Sequence, residues 1–511
     1  MVQNPNYFMH LSRKILADIL PTFGKLPSED IFSLPERVLQ FGTGVLLRGL
    51  PDYFIDKANK QQIFNGRVVI VKSTAQGDTK AYNDQDGLYT ILERGVVDGL
   101  PSEKIFLNAS ISRVLTANED WDEIIECAAN PQMQVIISNT TEVGITLVEA
   151  DAKTDKPISF PGRLLFFLLE RYRIFKGSLE SGMVIIPTEL IVDNGAKLKN
   201  IVSTLAKLKG ESEKFIQWLE TANDFCNSLV DCIVPGKLPV HDLQIIEKKL
   251  GYTDELMIMS EPYRLWAIET KSNRTREILS FYKADKSVIL APDITKFREL
   301  KLRLLNGSHT LSCGLAYLAG FVTVKEAMQD EWFVNYLHNL IHQEIIPLVL
   351  QDEITVEEAS EFASQVIDRF KNPYIEHLWL NITVQYTSKI VMRTVPLVQK
   401  HFEKYTEAPQ LMALGFAAFL LFMRSEKKED NRFYGKCNGL EYRIQDDKAA
   451  LLYNKWAAGQ INSAIMDRTI FGADLTQFPH FEEAVSKWLK LLAEFGAKYT
   501  LRSIFERKSV T

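Results

Sequence analysis

Four stretches in the first half of the chain are almost continuously apolar and β-branched: RVLQFG (37–42), GRVVIVKS (66–73), MQVIISNTT (133–141) and GMVIIPTELIV (182–192). Unbroken runs of this kind suit strands buried on both faces, as in parallel sheets covered by helices. Between them, DWDEIIECAAN (120–130) and GRLLFFLLERYRIF (162–175) repeat their apolar positions at helical spacing. Strand, helix, strand at these intervals predicts a doubly wound α/β domain with a parallel sheet. The pattern changes near LAPDITKFRELK (290–301). Beyond it, β-branched runs give way to helical periodicity in FRELKLRLLNGSHTLSCGLAYLAG, VNYLHNLIHQEIIPLVLQ, VEEASEFASQVIDRF and FEEAVSKWLKLLAEFGAKY. The expected organisation is an α/β domain over residues 1–290 followed by an all-α, mostly helical domain over 291–511. The polar segment 424–449 reads as a surface excursion.

Bulk composition narrows the function only coarsely. A chain of 511 residues exceeds what one hydrophobic core serves, which agrees with two domains. A net charge of -6 argues against a general nucleic-acid binder, which needs a basic face. The longest uncharged apolar run, LMALGFAAFLLFM (411–423), falls short of the roughly 18 residues that span a bilayer, so a buried core helix is expected and no membrane partner. MVQNPNYFMHLSRKILADIL lacks the build of a signal peptide, so a cytoplasmic location is expected. Five cysteines without a CxxC pair fit reduced thiols better than disulfides or structural zinc.

Three stretches carry candidate chemistry. In RVLQFGTGVLLRGL a strand runs into Gly42-Thr43-Gly44 and then a helix. That is where a nucleotide-binding βαβ unit places its phosphate loop, because glycines admit the pyrophosphate and the helix N-terminus offers free N–H groups. Leu47 stands where the third glycine of GxGxxG belongs. A tight strand-to-helix turn is the plainer reading. At the tip of the second strand, Lys72 suits a 2′-phosphate and Asp78 suits NAD, which leaves that choice open. In ISNTTEVG (137–144), Thr140 and Glu142 lie beyond a strand end, where they can edge a nicotinamide; a helix cap at Thr140 or Thr141 is compatible with that. In KLRLLNGSHT (301–310), an α-helix turning 100° per residue puts Lys301, Asn306 and His309 within an arc of about 140°. A lysine can exchange the proton of an alcohol. An amide N–H can stabilise developing oxyanion charge, and an imidazole can hold a neighbouring hydroxyl. The plainer reading is a solvated lysine and a core histidine. His338 and His342 stand at i, i+4, yet Asn339 replaces the glutamate of HExxH and no third ligand follows, so no metal site is expected. Ser308 is not in a G-x-S-x-G elbow.

Taken together, FGTG before a helix, QDGLYT, SNTTEVGI, IIPTELIVDNG, NSLVDCIVPG, RFKNPYIEH and above all K-x4-N-x2-H at Lys301, Asn306 and His309 resemble the long-chain, zinc-independent polyol and mannitol dehydrogenase family, within it the hexuronate branch. The resemblance runs from about residue 36 to the C-terminus. It implies a Rossmann-type dinucleotide-binding domain, a mostly helical substrate domain, and an active site in the cleft between them. It also implies metal-free hydride transfer with NAD, reducing tagaturonate to altronate in hexuronate breakdown. Lys301 would be the general acid/base, Asn306 would bond the reacting oxygen, and His309 would orient the substrate. The cofactor segment would be Val38, Leu39, Gln40, Phe41, Gly42, Thr43, Gly44, Val45, Leu46, Leu47, Arg48 and Gly49. Asp231 would lie in the substrate region. Three features depart from the family. Val45 replaces a common asparagine, Cys232 replaces a common arginine, and TELIVDNG replaces the C-D-N stretch whose asparagine supports the oxyanion, with Glu189 or Asn194 as candidate substitutes. A uronate also needs a cation for its carboxylate, and NITVQYTSKIVMRTVP offers Lys389 and Arg393 at i, i+4, which also read as a solvated basic pair. Two rivals stay open: a fructuronate or mannitol-type branch of the same family, and a non-catalytic nucleotide-binding sensor. Oligomeric state is not legible.

Overall fold

Each β-branched run of the first half forms a strand, trimmed at its polar end. In the computed structural model, which describes residues 9–19, 26–73, 79–140, 143–350 and 353–506, the strands are β1 (Glu36–Phe41), β2 (Arg67–Lys72), β3 (Ile111–Thr116), β4 (Val135–Ser138), β5 (Val184–Pro187) and β6 (Asp224–Phe225). They make one parallel sheet in the order β3-β2-β1-β4-β5-β6, the order of a doubly wound nucleotide-binding sheet. Alternate residues feed two cores. Leu39, Phe41, Val69, Val71, Ile136 and Ile185 face one side; Val38, Val68, Ile70, Val135, Ile137, Val184 and Ile186 face the other. Burial on both faces is why these runs show no polar alternation.

Helices α1 (Val45–Gly49), α2 (Pro51–Lys60), α3 (Phe160–Ile174) and α4 (Asn194–Lys209) follow β1, β4 and β5. Ser159 starts α3 by accepting the N–H of Gly162 at 3.1 Å, and Gly210, at φ 79°, ends α4. A hairpin, Tyr89–Val97 with Leu100–Asn108, turns at Asp98 and Gly99, both at positive φ, an Asp-Gly signal that the sequence reading left unused.

By its internal packing the chain divides into one unit that runs to Arg94 and resumes at Ser102–Ile294, and another made of Gly95–Pro101 and the residues from Thr295 on. The second unit contains α5 (Thr295–Leu300), α6 (Ser308–Leu318), α7 (Val356–Phe370), α8 (Tyr386–Lys389), α9 (Val395–Lys404), α10 (Gln410–Phe422) and α11 (Phe481–Phe495). The apolar run 411–423 is α10, buried between α6 and α11. Among the described residues no helix is long and apolar enough to cross a membrane.

Two expectations need correction. The unit is not all-α: segment 424–449 contains an antiparallel sheet of Lys427–Glu429, Arg432–Cys437 and Leu440–Ile444. Its turns sit at Asp430-Asn431 and Asn438-Gly439, all at positive φ, while Phe433, Tyr442 and Ile444 supply a buried face. Nor is the Lys301–His309 stretch one α-helix. Lys301–Gly307 is a π-turn between α5 and α6, and Ile390–Thr394 is another between α8 and α9.

The first unit encloses a fully buried ion pair between Arg264 and Glu93. Arg264 donates Nη1 to Glu93 and Nε to the carbonyl of Gly49 at 3.1 Å, with its guanidinium 3.8 Å from the Tyr53 ring centroid. Glu93→Ala leaves that charge buried without its counter-ion. The expected cost is about 3–5 kcal/mol of unfolding free energy in urea titration. A loss below 1 kcal/mol rejects this role.

Candidate functional site

The loop after β1 is shaped by what surrounds Gly42. At φ +128° its missing side chain leaves room where a Cβ would lie 3.1 Å from the Asn139 carbonyl oxygen and 3.0 Å from Leu47 Cδ1. Gly44 caps α1 and faces open space, with nothing within 4 Å of a Cβ placed there. A pyrophosphate can therefore approach the backbone of Gly42–Val45 closely. Leu47, in the position of the missing third glycine, is buried against Gly42. Gly49 takes over close packing instead, since a Cβ there would meet Val234 Cγ2 at 2.7 Å. Val45, where the family commonly has asparagine, packs toward Gly236. Of the expected cofactor segment, Val38, Leu39, Gln40, Phe41, Leu47, Arg48 and Gly49 are buried, which leaves Gly42–Leu46 able to face a ligand.

Beyond β4 and β5, Glu189 ties two strand ends together. It accepts the N–H of Thr140 at 2.8 Å, the Thr140 hydroxyl at 2.9 Å and the Ser138 hydroxyl at 3.1 Å. Thr140 thus sits at the mouth of the sheet, but its polar groups hold Glu189. Asn194 is also spent on structure. Its Nδ2 donates to the carbonyls of Pro187, Glu189 and Ser228 at 2.9–3.1 Å, and its Oδ1 accepts from Gly195 and Ser228. Neither replaces an oxyanion amide: one is an acceptor already engaged, the other a saturated donor. Asp231 is buried at the end of the strand Ser228–Asp231, and Lys72 is buried at the end of β2. Asp78, Thr141 and Glu142 lie outside the described residues.

Beneath the loop lies a buried polar group that sequence reasoning missed. Gln40 Nε2 donates to Asp52 Oδ2 at 3.2 Å, while Gln40 Oε1, Asp52 Oδ1 and Arg48 Nε are buried without a protein partner. Burial raises the Asp52 carboxyl from the usual 3.8 to about 7 and Asp56 adds to it, while the Gln40 bond and the Arg48 charge oppose the rise. A protonated Asp52 can donate from Oδ1 to Gln40 Oε1 and satisfy both orphaned oxygens at once.

In the second unit, the π-turn decides the candidate set. Its i→i+5 bonding stacks residues five apart, which brings Lys301 and Asn306 nearer one line than an α-helix would. Asn306 is half-buried, and its side-chain amide makes no hydrogen bond within the described residues, so it can donate to a ligand. Where the helix tightens again, Ser308 gives its hydroxyl to the carbonyls of Leu304 and Leu305, so it is a helix brace and not a nucleophile. His309 stacks on Phe370 at 4.0 Å between ring centroids, with His377 at 5.4 Å and Trp379 at 6.1 Å edge-on. Its Nε2 is buried without a protein partner. Burial holds the imidazole well below its usual 6.5, and His377, Arg369, Arg393 and Lys389 push it the same way. His309 is held in its neutral form, and the charges that bear on it most are positive.

Arg303 locks this arrangement. Its Nη1 donates to the carbonyls of Met392 and Arg393 at 3.0 and 3.3 Å, fastening the second π-turn to the first, while Nε reaches Glu299 at 3.1 Å. Arg393 in turn donates to the Thr310 hydroxyl at 3.1 Å, and Thr310 donates to the Asn306 carbonyl at 2.8 Å. Lys389, at the head of the second π-turn, donates to the Ile382 carbonyl at 2.7 Å. The structure therefore brings Asn306, His309, Lys389 and Arg393 into one cationic cluster and adds Arg369 and His377, which the sequence reading passed over. His338 and His342 stack at 4.3 Å, and among the described residues no three metal-ligating side chains converge.

The chain matches the model described as Mannitol dehydrogenase Rossmann domain over residues 36–280 and that described as Mannitol dehydrogenase C-terminal domain over 293–493. It is 36% identical over 487 residues to an altronate oxidoreductase of Halalkalibacterium halodurans, covering 93% of this chain and 94% of that protein. It is 36% identical over 476 residues to an altronate oxidoreductase of Bacillus subtilis, covering 91% and 95%. In fold it is similar to Pseudomonas fluorescens mannitol 2-dehydrogenase, solved as a ternary complex with NAD and D-mannitol, with a TM-score of 0.70 at 21% identity over 98% of this chain and 100% of that one.

The Asp52–Gln40 pair carries a pH prediction. A carboxyl raised in the folded state stabilises the fold fully below its unfolded pKa, and that contribution is lost as pH rises toward about 7. Between pH 4 and 7, wild type should lose stability relative to Asp52→Asn by about 1 kcal/mol per pH unit, then run parallel above pH 7. Parallel melting curves across the whole range would contradict it.

Proposed function

The chain belongs to the mannitol dehydrogenase family, and on that premise we propose that it is an NAD-dependent reductase of the keto-uronate tagaturonate, forming altronate without a metal. The observation that carries the substrate class is the placing of Lys389 and Arg393 together on the turn packed against Thr310 and the His309 helix, where both press on the His309 imidazole. A neutral polyol gives such a cluster no counter-charge. A sugar acid does, and a planar guanidinium such as Arg393 matches a carboxylate with two parallel N–H bonds. The altronate oxidoreductase relatives support the same class.

NADH, when bound at the Gly42–Leu46 loop, supplies the hydride. The chain's own residues do the rest. Lys301 gives its proton to the carbonyl oxygen as that oxygen becomes an alcohol, and takes the proton back in the reverse reaction. Asn306, with its uncommitted amide, donates an N–H to the same oxygen and favours the charge that develops there. His309 is held neutral and locked on Phe370, so it orients a substrate hydroxyl without adding a cation. Lys389 and Arg393 hold the carboxylate and set which end of the sugar faces Lys301.

The direct experiment follows NADH oxidation with tagaturonate, fructuronate and fructose in parallel, with EDTA present. Fast turnover of tagaturonate is the expected result. Turnover of fructuronate or fructose alone moves the protein to another branch, and NADH binding with no turnover favours a sensor. Lys301→Ala should cut turnover by about 10²–10⁴-fold while NADH still quenches the protein's fluorescence; retained turnover rejects the lysine role. Arg393→Ala should lower kcat/KM for the uronate by about 10–100-fold more than for a neutral ketose, the worth of a charged hydrogen bond. Equal losses on both substrates reject the carboxylate contact.

A further inference from the structure

Two arginines meet at the paired π-turns, and they are held in different ways. Arg303 is buried and has Glu299 as counter-ion at 3.1 Å. Arg393 is half-buried and, among the described residues, makes no ion pair. It is nevertheless fixed at both ends. Its backbone carbonyl accepts from Arg303 at 3.3 Å, and its Nη1 donates to the Thr310 hydroxyl at 3.1 Å. Thr310 is fully buried in the first turn of α6. Its hydroxyl proton goes to the Asn306 carbonyl at 2.8 Å, which leaves lone pairs alone to meet the guanidinium. The Tyr386 hydroxyl donates to the Thr310 carbonyl at 2.8 Å and steadies the same turn from α8. Ser308, two residues earlier, spends its hydroxyl on carbonyls of its own segment, whereas the Thr310 hydroxyl also takes a donor from the second π-turn.

That bond decides which edge of Arg393 a ligand can use. A guanidinium presents its N–H donors in a planar fork. With Nη1 tied to Thr310, the edge formed by Nε and Nη2 keeps two parallel N–H groups that bond nothing among the described residues. Such an edge matches the two oxygens of a carboxylate. A loose arginine would have to be ordered when the ligand binds, and ordering it beforehand raises affinity. Resting on the reading that Arg393 takes the substrate carboxylate, we propose that Thr310 is a specificity-determining positioning residue, whose hydroxyl aims the Nε–Nη2 edge of Arg393 at the carboxylate of the sugar acid. Thr310 itself touches no substrate atom. It serves the binding of the acid end and not the proton transfer, so its loss shows in KM rather than in kcat.

The test is steady-state kinetics of the full-length protein with NADH and tagaturonate, with NADH affinity read separately from fluorescence quenching. Thr310→Val removes the hydroxyl at nearly the same volume, and Thr310→Ala removes it again should the valine variant lose NADH binding. Either should raise KM for tagaturonate about 5–10-fold and leave kcat within about twofold. Thr310→Ser, which keeps the hydroxyl, should return KM to within about twofold of wild type. On an Arg393→Ala background, Thr310→Val should add nothing, since the side chain it aims is gone. A wild-type KM without the hydroxyl, or a loss that adds in full to that of Arg393→Ala, overturns the proposal and leaves the carboxylate reading intact. A fall in kcat at unchanged KM does the same, because the hydroxyl then acts on Asn306. If Arg393→Ala itself leaves KM for tagaturonate unchanged, the carboxylate reading fails and takes the proposal with it.

Discussion

The guanidinium of Arg303 is the contact on which the candidate site depends. A π-turn leaves carbonyls without the partners that an α-helix supplies, and such turns persist only where something else compensates. Here one arginine, itself buried, takes the carbonyls of Met392 and Arg393 and so joins two π-turns that are far apart in sequence. Its own charge is held by Glu299 one turn earlier. The first turn carries Lys301 and Asn306; the second is bounded by Lys389 and carries Arg393. With the two locked together, Arg393 reaches Thr310 and stands beside the Asn306 turn. Arg303 touches no candidate ligand group, yet it sets their register.

The parallel sheet was legible because its strands are buried on both faces, which forces the apolar runs at 37–42, 66–73, 133–141 and 182–192. What followed from the runs alone was strand existence, not strand length. β4 ends at Ser138 and β5 at Pro187, where the Thr188 hydroxyl turns to the Ser138 carbonyl at the sheet mouth, which composition does not show. The hairpin at 89–108 was readable from Asp98-Gly99. The small sheet at 427–444 was hidden behind its charge, since only one face of it is buried. Lys301, Asn306 and His309 were expected from spacing and resemblance on an α-helix, where the structure has a π-turn over Lys301–Gly307. A π-turn has no composition of its own; it arises where a tertiary contact such as Arg303 rewards it.

The site's less visible members show the same limit from another side. Gly49 takes the packing role of the third glycine, two residues past the expected place, because the kink at Leu50 brings it under Val234. No fixed spacing rule anticipates that shift. Asn194 looked like a free amide in the sequence and is instead fully engaged in holding the ends of β5 and the strand Ser228–Asp231. Burial decides such cases: an asparagine at a half-buried position keeps its amide open to a ligand, and one at a fully buried position is a structural clamp.

Charge balance then separates the two imidazoles from the cations around them. Arg369 and Lys389 press on both His309 and His377, and Arg393 presses on His309 as well. Repulsion of this kind is tolerated where a ligand relieves it, because the cost in the empty protein becomes binding energy when the anion arrives. Neutral imidazoles limit that cost, since they pack among the cations without adding to their charge. A fourth and fifth permanent cation would raise affinity for any anion, including phosphate, and weaken the empty fold. Two neutral rings offer hydrogen-bonding edges without that excess charge, which favours selectivity over bare attraction.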